Sequence, residues 1–143
     1  MRPYIASYLG ALITFCIMDG VWLGVIATDF YFGALGGLLL EKPNWSMAVI
    51  FYIGYILGIV YFAIRPSLKK SGLTKVLKDG ALLGLMAYAT YDMTNMATMK
   101  GWSLTVSIVD MIWGMVITGA SAVSGYIAAR RFMSVKPSLV LMQ

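Results

Sequence analysis

Ser46-Met-Ala-Val-Ile-Phe-Tyr-Ile-Gly-Tyr-Ile-Leu-Gly-Ile-Val-Tyr-Phe-Ala-Ile64 runs for nineteen residues without a charged side chain. About 20 predominantly apolar residues in a helix cross the hydrocarbon core of a bilayer, so this stretch reads as a transmembrane helix. Outward from it, residues 4–28, 80–99 and 104–128 are comparably long and apolar. The fold expected is all-α: a polytopic membrane protein in which residues 1–143 form one domain, a bundle of four transmembrane helices. Between the first two spans, Asp29 to Trp45 carries Phe30, Tyr31, Phe32, several glycines, a run of leucines and Pro43. It reads as an interfacial loop or a short re-entrant helix, because aromatic residues favour the headgroup zone and Gly and Pro interrupt a regular span.

Composition agrees with that reading. Hydrophobic residues make up 60% of the chain and charged residues 12%, where soluble proteins carry roughly a quarter charged. No water-soluble domain could bury that much apolar surface. The first apolar stretch is expected to stay as a span, being longer than a signal-peptide core, preceded only by Arg2 and lacking a small-x-small cleavage site. The net charge of +5 does not point to nucleic acid, because the basic residues flank apolar spans and form no basic face with interleaved aromatics. Cys16 is the single cysteine and histidine is absent. The chain therefore has no internal disulfide, no multi-thiolate centre and none of the commonest haem or zinc ligands.

Orientation follows from the basic residues. Arg2, Arg65, Lys69, Lys70, Lys75, Lys78, Arg130, Arg131 and Lys136 fall on one side by these spans, nine in all, against Lys42 and Lys100 on the other. Positive charge stays inside, so both termini are expected in the cytoplasm of an inner (plasma) membrane. The pairs Gly20/Gly24, Gly54/Gly58 and Gly80/Gly84 have the small-xxx-small spacing that lets two helix backbones approach in lipid. They predict a tight bundle or a homodimer.

Three carboxylates lie inside the spans: Asp19, Asp92 and Asp110. Each costs about 2.5 to 3.5 kcal/mol at the centre of a helix, so all three are expected to face inward. Every Lys and Arg lies outside the spans, leaving protonation, water or a bound cation to neutralise them. Their depths, on the outer side of the midplane, predict a shared pocket open toward the outer face. Tyr88, Tyr91, Asp92, Asn95 and Met99 recur at three- and four-residue spacing along the third span, with Thr90, Thr94 and Thr98 beside them. Such a stripe either lines a site or bonds to neighbouring helices.

A local echo links the first and last spans. Residues 13–28 set against 104–119 agree at six of sixteen positions, among them Asp19 with Asp110 and Trp22 with Trp113. Because the two helices run oppositely, the pattern resembles the inverted repeats of some transporters. In each Asp-x-x-Trp unit the indole lies three residues from the carboxylate on one helix face, where its N–H can serve as donor.

Asp19-Gly-Val-Trp22-Leu-Gly24, Tyr91-Asp92-Met-Thr94-Asn95-Met-Ala97-Thr98 and Asp110-Met-Ile-Trp113-Gly114 resemble a family of small bacterial predicted inner-membrane proteins catalogued as a domain of unknown function. The resemblance implies the four-helix architecture and the same polar positions, and implies no activity. The residues themselves favour a small transporter or permeation protein binding a proton, cation or small solute at Asp19, Trp22, Tyr88, Tyr91, Asp92, Asn95, Asp110 and Trp113. A membrane enzyme acting on a lipid or isoprenoid and a structural or assembly subunit are the alternatives. No cofactor motif is present, and no catalytic residue or metal is assigned. Membrane lipids, a second copy of the chain and a small solute or cation are the partners expected, and nucleic acid is not.

Overall fold

A computed structural model describes residues 1–68 and 72–133, and among them every regular element is helical. Helix α1 spans Arg2–Ile26, α2 Thr28–Leu35, α3 Trp45–Ser67, α4 Leu73–Thr98 and α5 Leu104–Met133. Local chemistry sets several of these boundaries. Pro3 occupies the first turn of α1, where its missing N–H is no loss. The Asn44 side chain caps α3 by accepting from the Met47 N–H (3.2 Å), and Ser103 Oγ accepts from the Val106 N–H (3.4 Å) at the start of α5. Between α4 and α5 the chain reverses through Gly101, whose φ of 78° suits glycine and few other residues. The segment after α1, expected as a loop or short helix, is the helix α2 followed by a single 3-10 turn at Gly36–Leu38.

By length and composition α1, α3 and α5 can each cross a membrane. Helix α4 is 26 residues long, about 39 Å at 1.5 Å per residue. It begins at Leu73, seven residues before the expected third span, and its Tyr, Thr, Asn and Asp residues keep it below the hydropathy of the other three.

Helix α5 is the centre of the bundle, and α1 and α4 lie antiparallel on either side of it. Its line of small residues makes this possible. A side chain on Gly10 of α1 would meet Ser124, Gly125 and Ala128, and one on Gly80 of α4 would meet Thr118, Gly119 and Ala122. Close backbone approach of this kind replaces the missing hydrophobic drive between helices in lipid, where the solvent is as apolar as the interface. Helix α3 closes the bundle through Ile56, Ile59, Ala63 and Ile64, which pack with Phe15, Ile117 and Tyr126. Hydroxyls tie the helices across these seams: Thr14 to Ser124 at 2.7 Å and Tyr55 to Thr118 at 2.9 Å. Outward, Ile5, Ile13, Ile17, Ile50, Leu57 and Leu82 are exposed, as lipid-facing side chains are.

The glycine pairs divide. Gly80/Gly84 packs against α5 as the spacing predicted, whereas Gly20, Gly24, Gly54 and Gly58 have open space where a side chain would be. Their counterparts in the packed seams are Gly10, Gly114, Gly119 and Gly125, which have no four-residue spacing among themselves. The antiparallel order brings Arg2, Arg65, Lys75, Lys78, Arg130 and Arg131 to one end of the bundle. Lys69, Lys70 and Lys136 lie outside the described residues.

Candidate functional site

Toward the end of the bundle away from those basic residues is a cavity of about 450 Å3. Its wall takes residues from all five helices: Asp19, Trp22 and Leu23 from α1, Tyr31 from α2, Phe51 and Tyr52 from α3, Ala87, Tyr88 and Tyr91 from α4, and Asp110 and Trp113 from α5. Asp19 is 6% and Asp110 9% exposed. Helix α1 changes character here. From Trp22 to Ile26 it widens into a π turn, with the Ala27 N–H bonded to the Trp22 carbonyl (2.8 Å). An extra residue in one turn rotates the side chains that follow, a device common beside functional sites.

Each cavity carboxylate is held by aromatic donors from other helices. The Tyr52 hydroxyl donates to Asp19, and the Trp113 indole N–H points at the other oxygen of Asp19 at 3.4 Å. The Tyr31 hydroxyl donates to Asp110 and in turn accepts from the Trp22 indole at 3.1 Å. Trp22 and Trp113 stack, with ring centroids 4.3 Å apart and planes 12° from parallel. The two Asp-x-x-Trp units thus meet across the α1/α5 seam, but in exchanged form. Each indole serves the other unit's aspartate, directly or through Tyr31, and not the carboxylate three residues before it. Along one helix, residues three apart share a face, but here Trp113 aims its N–H across the seam at Asp19 of α1, and Trp22 aims its own at Tyr31 of α2. The Tyr31 phenol lies above its ordinary range, chiefly through burial and next through its bond to Asp110, so it keeps its proton and acts as donor.

Among the described residues no lysine or arginine pairs with Asp19, Asp92 or Asp110; the ion pair they do form, Lys75 with Asp79, lies at the opposite end. No group of three or more acidic or thiol side chains there is placed to hold a metal ion.

Of the residues singled out from the sequence, Asp19, Trp22, Tyr88, Tyr91, Asp110 and Trp113 line the cavity, while Asp92 and Asn95 do not. The expectation that all three aspartates share one pocket is therefore corrected. Tyr88 and Tyr91 point into the cavity, and one residue of helix rotation, 100°, turns Asp92 toward the start of α5. There Asp92 is fully buried and neither carboxylate oxygen has a hydrogen-bond partner. Trp102 and Ser107 lie beside it, near enough to act as weak donors, but the well-formed bond is the one they make to each other (3.0 Å). The threonine stripe does not bond to neighbouring helices. Thr90, Thr94 and Thr98 donate to the carbonyls of Met86, Thr90 and Thr94, at 2.6, 2.5 and 2.7 Å, on an exposed face of their own helix.

An unpartnered buried polar group costs about 1 to 3 kcal/mol. Asp92→Val, similar in size and free of polar atoms, is expected to raise stability by that amount, seen as a higher thermal unfolding midpoint by circular dichroism in detergent. An unchanged or lowered midpoint would mean that Asp92 has a stabilising partner.

Sequence reasoning passed over Tyr31 and Tyr52. Tyr31 carried the signal of an interfacial aromatic and Tyr52 that of an aromatic in an uncharged span, and neither spacing links them to a carboxylate 79 or 33 residues away. No curated protein and no solved structure shows significant similarity to the chain. One family does: its sequence profile matches residues 4–127, which include both Asp-x-x-Trp units and the whole cavity wall, and the chain accordingly belongs to DUF2177, a family of predicted membrane proteins.

Proposed function

We propose that this integral membrane protein is a small transporter or permeation protein in which Asp19 and Asp110 bind a proton, a cation or a cationic solute. One observation carries the reading: two buried carboxylates face one cavity with no lysine or arginine of the described chain to neutralise them. Acidic groups at membrane depth are costly to keep and mark ion or substrate pathways by default. The exchanged bonding of the two Asp-x-x-Trp units supports it further, since inverted elements meeting around one site are a construction that transporters use.

In this reading α4 is a fourth span. Tyr88 and Tyr91 line the cavity, Asp92 is buried toward α5 and the threonines bond within the helix, while Leu82, Met86 and Met93 are exposed where lipid would lie. The basic end lies in the cytoplasm with both termini, in the inner membrane of a bacterium, and the cavity lies toward the outer side. Four helices seldom enclose a complete pathway, so the working unit is a homodimer. The open small-residue pairs Gly20/Gly24 and Gly54/Gly58 leave faces where a second copy can approach.

The test is flux in vesicles holding the purified protein. Wild type should pass protons or monovalent cations faster than protein-free vesicles, and the variant with Asp19, Asp92 and Asp110 all changed to Asn should not. Equal flux from wild type and triple variant would remove the aspartates from the function.

A further inference from the structure

We infer that the cavity's ligand is a lipophilic organic cation without N–H groups, of the quaternary ammonium or phosphonium class, which enters from the hydrocarbon phase. The inference rests on the preceding reading of the cavity as a cation site and names what that site selects.

Size is the first argument. A cavity of about 450 Å3 falls within the range of roughly 300 to 1,000 Å3 that holds drug-sized molecules. A proton or a bare alkali ion would leave almost all of it unfilled. The wall is the second argument. Seven of its eleven lining residues are aromatic, and ring faces attract cations most strongly where water is excluded, as in the aromatic cages that recognise quaternary ammonium groups.

Charge and hydrogen bonding narrow the class. Asp19 and Asp110 are the only charged residues of the wall, so an anion meets repulsion and nothing that attracts it. A hard metal ion wants a shell of about six or more oxygens, and two carboxylates already engaged by tyrosine and tryptophan donors do not supply it. Desolvation disfavours a primary ammonium: it is compact and strongly hydrated, and the two carboxylates, already accepting from tyrosine and tryptophan, stand in a wall that is otherwise mostly aromatic. A diffuse cation without N–H needs only nearby negative charge and apolar contact, and the site offers both. The entry route follows from exposure: Leu23, Phe51 and Tyr91 belong to the wall and are also among the exposed residues of the outer surface. Their apolar parts form a rim on the lipid side.

Titration calorimetry on the detergent-purified full chain, with empty micelles as blank, tests this using two probes of equal shape and opposite charge. Tetraphenylphosphonium is expected to bind saturably to wild type, at least tenfold more weakly to Asp19→Asn and Asp110→Asn, and to persist in millimolar sodium chloride. Tetraphenylborate is expected not to bind. Equal binding of the two probes, no binding of the phosphonium, or its displacement by millimolar sodium would each overturn the inference, and all three comparisons use wild type alone, so a variant that misfolds cannot rescue it. Aspartate-dependent proton or sodium flux without phosphonium binding would sink this inference and leave the preceding reading intact. Charge-selective phosphonium binding without any flux would uphold the site and sink the transport reading.

Discussion

Asp19→Asn and Asp110→Asn should each cut cation flux about thirtyfold or more in reconstituted vesicles, while Asp92→Asn should stay within about threefold of wild type. Losing one partner of a desolvated charge contact costs about 2 to 5 kcal/mol, and 1.4 kcal/mol is a factor of ten. The substitution is chosen to isolate charge. Asn keeps the volume of Asp and its amide oxygen can still accept from Tyr52 or Tyr31; at position 19 the amide NH2 then faces the Trp113 N–H, so only that long 3.4 Å contact is given up. Asp92 differs because it lies off the cavity wall, packed toward Trp102 and Ser107. Flux normalised to inserted protein, with unfolding midpoints measured in parallel, separates lost function from lost fold. A loss at Asp92 equal to that at Asp19 would contradict the division of roles drawn from the cavity wall.

Gly84→Leu should be the most destabilising single substitution in the bundle, lowering stability by about 3 kcal/mol or more. Overpacked cores ordinarily lose about 1 to 3 kcal/mol because side chains shift to make room. Here the obstacle is backbone. A side chain at Gly84 would run into the Gly114 carbonyl and the Thr118 hydroxyl, and the Gly114 backbone cannot move without parting α4 from α5. The same displacement would pull Tyr88 off Gly114, against which it packs, and open the cavity wall. Circular dichroism melts and the yield of monodisperse protein would show it. Gly24→Leu is the control, because nothing within the described chain lies within 4 Å of the position a side chain would take; its stability should stay within about 0.5 kcal/mol of wild type. A Gly24→Leu protein that folds normally but no longer self-associates would place a second copy against that face. If Gly84→Leu melts like wild type, the α4/α5 seam described above is wrong.

How much of this was legible beforehand depends on which physical scale governs each feature. The helices were, because an α-helix is closed by bonds four residues apart and a membrane span by a run of apolar residues, both written locally in stretches such as Ser46–Ile64. The caps at Asn44 and Ser103 are equally local chemistry, but they were identified from the structure. The inward preference of Asp19 and Asp110 was legible as well, from the cost of a carboxylate in lipid. Gly80/Gly84 was read correctly as a packing pair, whereas Gly20/Gly24 and Gly54/Gly58, identical in spacing, pack against nothing in this chain.

What only the assembled bundle decided is which faces meet. In lipid the surroundings of a helix are as apolar as its interfaces, so hydropathy marks no contrast between a packed face and an exposed one. Tyr52 reaches Asp19 and Tyr31 reaches Asp110 because α1, α2, α3 and α5 converge at one end, and no spacing in the chain records that convergence. The exchange of indoles between the Asp-x-x-Trp units arises from antiparallel stacking of Trp22 on Trp113. Asp92 is parted from the cavity by a single residue of rotation on α4, a difference of 100° that takes its meaning only once α5 lies alongside.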